Sequence, residues 1–181
     1  GEPSGWDGVT IGYKGTTLMK FEEKVERFHS SIEKKGAAEK LIEKWKKLSK
    51  NFEEGFDTPS GRIKKIEAYE REHDFYGKMI VNIRTPSNYE PEIKGKIIES
   101  LPAYKISRKS PLVRGLVRSI RNNKGKPKLK KKTGTADMNI LGPKYGVDTI
   151  AYGPGNSDLD HTPNEHLNLK EYLKAIETLK S

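Results

Sequence analysis

Near the start of the chain Met19, Phe21 and Val25 alternate with Lys20, Glu22, Lys24 and Glu26, the period-two pattern of a half-exposed strand, which ends at Phe28-His29-Ser30-Ser31. Over residues 36–51 the period changes. Ala38, Leu41, Ile42, Trp45 and Leu48 recur at three- and four-residue spacing and predict an amphipathic helix. Asp57-Thr58-Pro59-Ser60-Gly61 is turn chemistry. Strands are expected over residues 62–70 and 75–85, the second with Met79, Val81 and Ile83 on one face. Pro91 suits the first turn of a helix, with Ile93, Ile97, Ile98 and Leu101 as its buried stripe. A short strand carrying Tyr104 and Ile106 closes the series. The expected order is β-α-β-β-α-β over residues 12–108, a ferredoxin-like α+β unit.

The pattern then shifts towards helices. Ser110 caps a helix with Pro111 in its first turn and Leu112, Val113, Leu116, Val117 and Ile120 on its apolar face. The run Lys126-Pro127-Lys128-Leu129-Lys130-Lys131-Lys132 reads as a solvated face, and residues 148–152 as a core strand. A last helix is capped by Asn168, with Glu171 three residues on and Leu169, Tyr172, Leu173, Ile176 and Leu179 facing a core. These roughly 75 residues supply only two strands and read as the C-terminal piece of a larger α/β domain. The glycine-rich first 15 residues read as a strand end running into a loop, as though the chain began mid-fold.

Charge and composition narrow the function classes. There is no cysteine, and the charged third of the chain is mostly Lys and Glu, which fits an intracellular, cytoplasmic protein. No apolar run reaches membrane-spanning length and no secretory leader is read, so no membrane role is expected. A net charge of +10 calls for an acidic partner: nucleic acid, an acidic protein or an anionic metabolite. The lysine run has no interleaved aromatics and no nucleic-acid motif, which argues against nucleic acid. Two of the four histidines lie in Leu159-Asp160-His161-Thr162-Pro163-Asn164-Glu165-His166, between the turn Gly153-Pro154-Gly155-Asn156 and the last helix. Histidine among carboxylates is metal-ligand or proton-carrier chemistry. The same residues also read as a surface turn that caps the helix.

GEPSG at the start, FHSS after the first strand, then TGTADMN and YGPG followed by DHTPNEH occur in that order across the whole chain. This set resembles the zinc-dependent amidohydrolases of the aminoacylase, acetylornithine deacetylase and carboxypeptidase G family. It is most similar to the archaeal branch that releases lysine or ornithine from an amino-group carrier protein. The resemblance implies an α/β catalytic domain interrupted by a lid that also makes a homodimer. Residues 1–11 and 109–181 would then be catalytic domain and residues 12–108 the lid. It also implies that a first catalytic half, with an HxD motif, a bridging aspartate and a glutamate general base, is absent. No HxD occurs here.

Carried over residue by residue, the resemblance makes Glu2 and His161 protein ligands of one metal of a Zn2+ (or Co2+) pair. His29 would stabilise the oxyanion across the dimer. Thr135, Asp137 and Gly155 would line the substrate, and Arg84, Arg108 and Arg114 are the choices for pairing its carboxylate. An acidic carrier protein would be the substrate. A deacetylase acting on N-acetyl-lysine or N-acetylornithine, and a catalytically incomplete dimerising or carrier-binding fragment, are the other readings.

Overall fold

The computed structural model describes residues 1–181. In chain order its elements are β1 (Gly5–Tyr13), β2 (Gly15–Glu26), α1 (Ala37–Leu48), β3 (Ser60–Arg71), β4 (Asp74–Thr85), β5 (Lys96–Leu101), β6 (Tyr104–Lys105), α2 (Pro111–Asn122), β7 (Lys128–Lys132), α3 (Met138–Tyr145), β8 (Ala151–Gly153) and α4 (Leu169–Lys180). They fall into two compact units: a discontinuous one built from Gly1–Lys14 and Ala103–Ser181, and an inserted one, Gly15–Pro102. Both are mixed α/β with an open sheet.

The inserted unit is an antiparallel sheet in the order β3-β4-β2-β5. The period-two pattern is realised in β4, where Gly77, Met79, Val81, Ile83 and Thr85 are buried in alternation. Leu41 and Leu48 of α1 pack on that face with Met19, Phe21, Met79, Val81 and Ile83. At the start of α1 the contact is tight: a Cβ on Gly77 would lie 2.8 Å from the Leu41 side chain. The helix expected after Pro91 is instead the edge strand β5, with Met19 opposite Ile97 and Thr16 opposite Leu101. The four-residue spacing of Ile93, Ile97 and Leu101 is compatible with either element. The free edge of β2 and the adjacent β-branched Ile97-Ile98 decide it for a strand. Gly95 also lets the chain pass close, since a Cβ there would lie 2.9 Å from the Phe21 ring. The unit therefore runs β-α-β-β-β.

In the discontinuous unit β1 is central. It pairs in parallel with β7 on one side, and antiparallel with β8 and β6 on the other. The opening residues are thus a nine-residue strand rather than a loop. Val9, Thr10, Ile11, Gly12 and Tyr13 are all buried, the mark of a strand covered on both faces. Tyr104 and Ile106, expected in the other sheet, join this one: β6 pairs Tyr104 with Tyr13, and Ile106 N–H donates to the Ile11 carbonyl (2.9 Å).

The lysine run, expected as a solvated face, is β7. Leu129 packs against the core of Val9, Ile11, Val113 and Ile120, and the four lysines of the strand range from exposed Lys128 to Lys132, whose ammonium is taken up by the Pro3 carbonyl. Helix α3 lies where the sequence pattern predicts none, because Gly142 and Pro143 are inside it. Gly142 is needed there, as a Cβ would meet the Tyr104 ring at 2.1 Å.

Helix α4 starts where predicted, with the Asn168 side chain accepting from Lys170 and Glu171 N–H. Its buried residues, however, are Ala175 and Thr178. Of the predicted core face, Leu169 is 73% and Leu173 61% exposed. Small side chains let the backbone of α4 approach α2 closely enough for Ser119 Oγ to donate to the Thr178 carbonyl, which turns the large ones away.

Candidate functional site

The segment Glu2-Pro3-Ser4 doubles back beside β1 and is gripped on every side. Ser4 is fully buried; its Oγ donates to the Gly8 carbonyl (3.0 Å) and accepts from Gly153 N–H (3.2 Å). Main-chain bonds run from Ser4 N to Gly153 O (3.0 Å) and from Glu2 N to Tyr152 O (3.4 Å). Two glycines make room. A Cβ on Gly8 would lie 1.9 Å from the Ser4 carbonyl oxygen, and one on Gly153 would lie 2.8 Å from that of Glu2. Neither can carry a side chain without moving the segment. The Pro3 carbonyl, between those two, accepts from Lys132 Nζ.

Tyr13 lies beside this segment. The β1–β7 register skips Ile11 between Thr10 and Gly12. This bulge puts Tyr13 out of phase with Val9 and Ile11. Its ring joins Met138 and Ala151 with Ala136 alongside, and Lys132 Nζ is 5.8 Å from the ring centroid. Its hydroxyl is buried and has no hydrogen-bond partner. Burial, then the Glu2 carboxylate, then that of Asp160 push its pKa up to about 12. The Lys132 ammonium is pulled down by burial, against the upward pull of Asp160 and Glu2. The Glu2 segment and the His161 loop, about 160 residues apart in sequence, thus act on the same phenol and the same ammonium.

The loop itself is a chain of short-range bonds. A 3-10 turn, Ser157–Leu159, is capped by the Asn156 side chain. Thr162 Oγ1 donates to the Leu159 carbonyl (2.7 Å), and Glu165 Oε2 accepts from His161 N–H (2.9 Å). His161 sits at φ 62°, in the left-handed region where histidine is enriched among non-glycine residues. Its side chain is exposed. His166 Nδ1 lies 2.7 Å from the Asn164 carbonyl, which can only accept, so that nitrogen carries the proton. Pro3, Gly155, Asp160, Glu165 and His166 line one cleft of about 500 Å3. Gly155, at φ 100°, fits against Pro3, where a Cβ would lie 3.4 Å from the proline's.

Thr135 and Asp137 precede α3, whose cap position Asp137 occupies with an exposed side chain. Asn139 orders this stretch: fully buried, it accepts from Ala136 N–H (2.9 Å) and donates to the Lys14 carbonyl (3.0 Å). Arg108 and Arg114 are exposed on the same unit.

His29 and Arg84 belong to the inserted unit. Ser31 N–H donates to His29 Nδ1 (3.2 Å), and Ser31 Oγ lies 2.7 Å from the same atom. A backbone N–H only donates, so Nδ1 accepts and the neutral ring carries its proton on Nε2. His29 lines a groove of about 1040 Å3 with Phe28, Tyr69, His73 and Tyr76. Arg84 is half-buried on β4, and burial, then neighbouring Arg62, lower its pKa.

Sequence patterns do not single out Tyr13, Lys132 or Asn139. Only their flanks, Gly12 and Gly15 around Tyr13 and the TGTADMN motif around Asn139, mark the neighbourhood. Carboxylate oxygen and imidazole nitrogen, the donors of Glu2 and His161, are what zinc accepts. No three His, Cys, Asp or Glu side chains gather to hold a metal within the chain. Glu2 and His161 by themselves therefore do not make a whole ligand set.

With this geometry in place, comparison with known proteins gives a consistent answer. The family model described as peptidase family M20/M25/M40 matches residues 1–181. A Pyrococcus furiosus protein named "Putative LysW-lysine/LysW-ornithine hydrolase" is 65% identical over all of this chain and 55% of its own length. A LysW-lysine hydrolase of Deinococcus radiodurans is 32% identical over all of this chain and 57% of its own length. The chain thus spans about half the length of the curated relatives it matches. The aminopeptidase PepT of Bacillus cereus shares the fold at 15% identity, with a TM-score of 0.67 over 98% of this chain and 53% of that one. The chain belongs to peptidase family M20/M25/M40.

Proposed function

We propose that this chain is the C-terminal portion of a metal-dependent amide hydrolase that releases lysine or ornithine from an acidic carrier protein. The observation that carries the reading is the convergence of the Glu2-Pro3 segment and the His161 loop on one cleft, lined by Pro3, Gly155, Asp160 and His166. That convergence sits within a chain 65% identical to the Pyrococcus furiosus protein so named.

Glu2 and His161 would hold one ion of a zinc or cobalt pair, with the remaining ligands and the general base supplied from outside these 181 residues. When bound, the metal supplies Lewis-acid polarisation of the scissile carbonyl. His29, with Nε2–H as its donor, would meet the carbonyl oxygen as it gains charge, delivered across a homodimer formed by the inserted unit. Thr135, Asp137 and Gly155 would bound the substrate, and Arg84, Arg108 or Arg114 would pair its carboxylate in bidentate fashion. The basic exterior, with β7 as its densest stretch, would speed encounter with an acidic carrier in a salt-dependent way. No helix is long and apolar enough to cross a membrane, and a cytoplasmic location is part of the same proposal.

The test uses the full-length polypeptide containing this sequence. H161A is expected to bind one metal fewer per subunit and to lose hydrolysis of carrier-linked lysine. An active variant with full metal content would sink the assignment. Side-by-side rates on carrier-linked and N-acetylated lysine, with salt slowing only the former, separate this function from a deacetylase.

A further inference from the structure

The three consecutive carbonyls of Glu2, Pro3 and Ser4 are met in two ways. Those of Glu2 and Ser4 are approached so closely by Gly153 and Gly8 that only hydrogen fits. That of Pro3 is met by a side chain, the Lys132 ammonium, which reaches it from the last residue of β7. Lys132 is itself fixed at its root, because its carbonyl accepts from Lys14 N–H (3.1 Å) and it stands opposite Tyr13 in the parallel ladder. Its ammonium stands over the Tyr13 ring, 5.8 Å from the centroid. A flexible four-carbon side chain is thereby anchored at both ends, and the Glu2 and Asp160 carboxylates act electrostatically on its charge. Lys132 differs from its neighbour at the start of the strand. Lys128 pairs with Asp7 (3.1 Å) and stays exposed, whereas Lys132 is turned inward onto the segment that aims Glu2.

We propose that Lys132 is a positioning residue for the Glu2 carboxylate. It locks the Glu2-Pro3-Ser4 backbone by donating from its ammonium to the Pro3 carbonyl. The inference rests on the reading of Glu2 as a metal ligand and extends it to a residue that touches neither metal nor substrate. An outer residue that fixes a ligand's direction changes metal affinity by about 10- to 100-fold when removed. Methionine keeps the length and apolar stem of Lys132 but loses both charge and donor. Arginine keeps both and changes the shape of the head.

The experiment measures Zn2+ affinity by competition with a chromophoric chelator in the full-length polypeptide, for wild type, E2Q, K132M and K132R. Metal-free unfolding temperatures are recorded alongside. The expected result is loss of one site in E2Q, a weakening of that same site by about 10- to 100-fold in K132M, and an intermediate affinity in K132R. If E2Q loses the site while K132M and K132R bind as tightly as wild type, the positioning role is overturned and the ligand assignment stands. The positioning role is overturned as well if K132M or K132R unfolds at lower temperature with unchanged Zn2+ affinity. If E2Q itself binds as wild type, the ligand assignment fails and the positioning role goes with it. Should K132M not fold, K132R decides: a weakened site supports the role, and wild-type affinity overturns it.

Discussion

Gly8 is the position where the geometry makes its sharpest demand. An alanine Cβ there would sit 1.9 Å from the Ser4 carbonyl oxygen and 2.9 Å from the carbon behind it. To reach an ordinary contact, Ser4 must withdraw by more than an ångström, and its Oγ then leaves the Gly8 carbonyl. Orphaning that buried pair costs about 1–3 kcal/mol, and the overpacking a further ~1–3 kcal/mol. The sum, roughly 2–6 kcal/mol, is a large part of the ~5–15 kcal/mol that holds a typical domain. The chain has two tryptophans, Trp6 in the discontinuous unit and Trp45 in the inserted one. In a W45F background Trp6, packed against the Val9 and Ile120 core, reports on the discontinuous unit alone. With a urea slope of about 2 kcal/mol/M, G8A should lower the Trp6 midpoint by about 1–3 M. The internal contrast is G115A, on the exposed side of α2 with nothing within 4 Å of the new methyl. It should raise stability by about 0.5–1 kcal/mol through helix propensity. A G8A midpoint within about 0.3 M of its parent, or a G115A loss as large as the G8A loss, would refute the account of the doubled-back segment.

Three further outcomes are expected. L41A, which empties a site between α1 and the Met19 and Met79 layer, should cost about 2–5 kcal/mol, seen as an early Trp45 transition in urea. N139A strands the Ala136 N–H and the Lys14 carbonyl, and should speed hydrogen exchange at the Ala136 amide by at least about tenfold, roughly the worth of one such bond; unchanged exchange would contradict the buried network. Tyr13 should titrate late, at about pH 12. Its folded pKa lies above the unfolded value near 10, so the stability tied to its neutral form is whole below about pH 10 and falls away as pH rises towards 12. The late phenolate phase in the ultraviolet absorbance should vanish in Y13F, and the alkaline limb of stability should flatten. A Tyr13 that ionises near pH 10 would remove the argument for its burial beside two carboxylates.

Where one face of an element is buried and the other wet, the chain can be read directly. Strands β2 and β4 and helix α1 follow the period of Met19, Phe21, Met79, Val81 and Leu41. The pattern misleads where the deciding partner is distant. β1 resembles a loop because Gly8 and Gly12 carry no apolar signal, yet Gly8 permits the close approach of Ser4. The lysines of β7 hide a strand because a run of charges carries no apolar period, and only the pairing to β1 reveals it. For α4 the hydrophobic period is present but misleading, since close approach to α2 selects Ala175 and Thr178 over the leucines. At the candidate site the motif residues Glu2, Gly155 and the His161 loop are visible in the sequence. Tyr13 and Lys132 are not, because a bulge and a strand register bring them there.

The pairing of Tyr13 with Tyr104 has a consequence for how the chain reaches its fold. These two residues flank the 88-residue insertion, Gly15–Pro102, and as antiparallel partners their Cα atoms are about 5 Å apart. A flexible loop of that length would cost about 4 kcal/mol to close. A contiguous insertion that folds first, from neighbouring strands and one helix, replaces that loop with a preformed body and leaves little closure for β1 to wait on. The expected order of assembly is therefore insertion before host, with β1 the last strand to find its partners, although it precedes every other strand in the chain. In such an arrangement the host tolerates changes in the insertion's length, provided its two ends still return to the same pair of tyrosines.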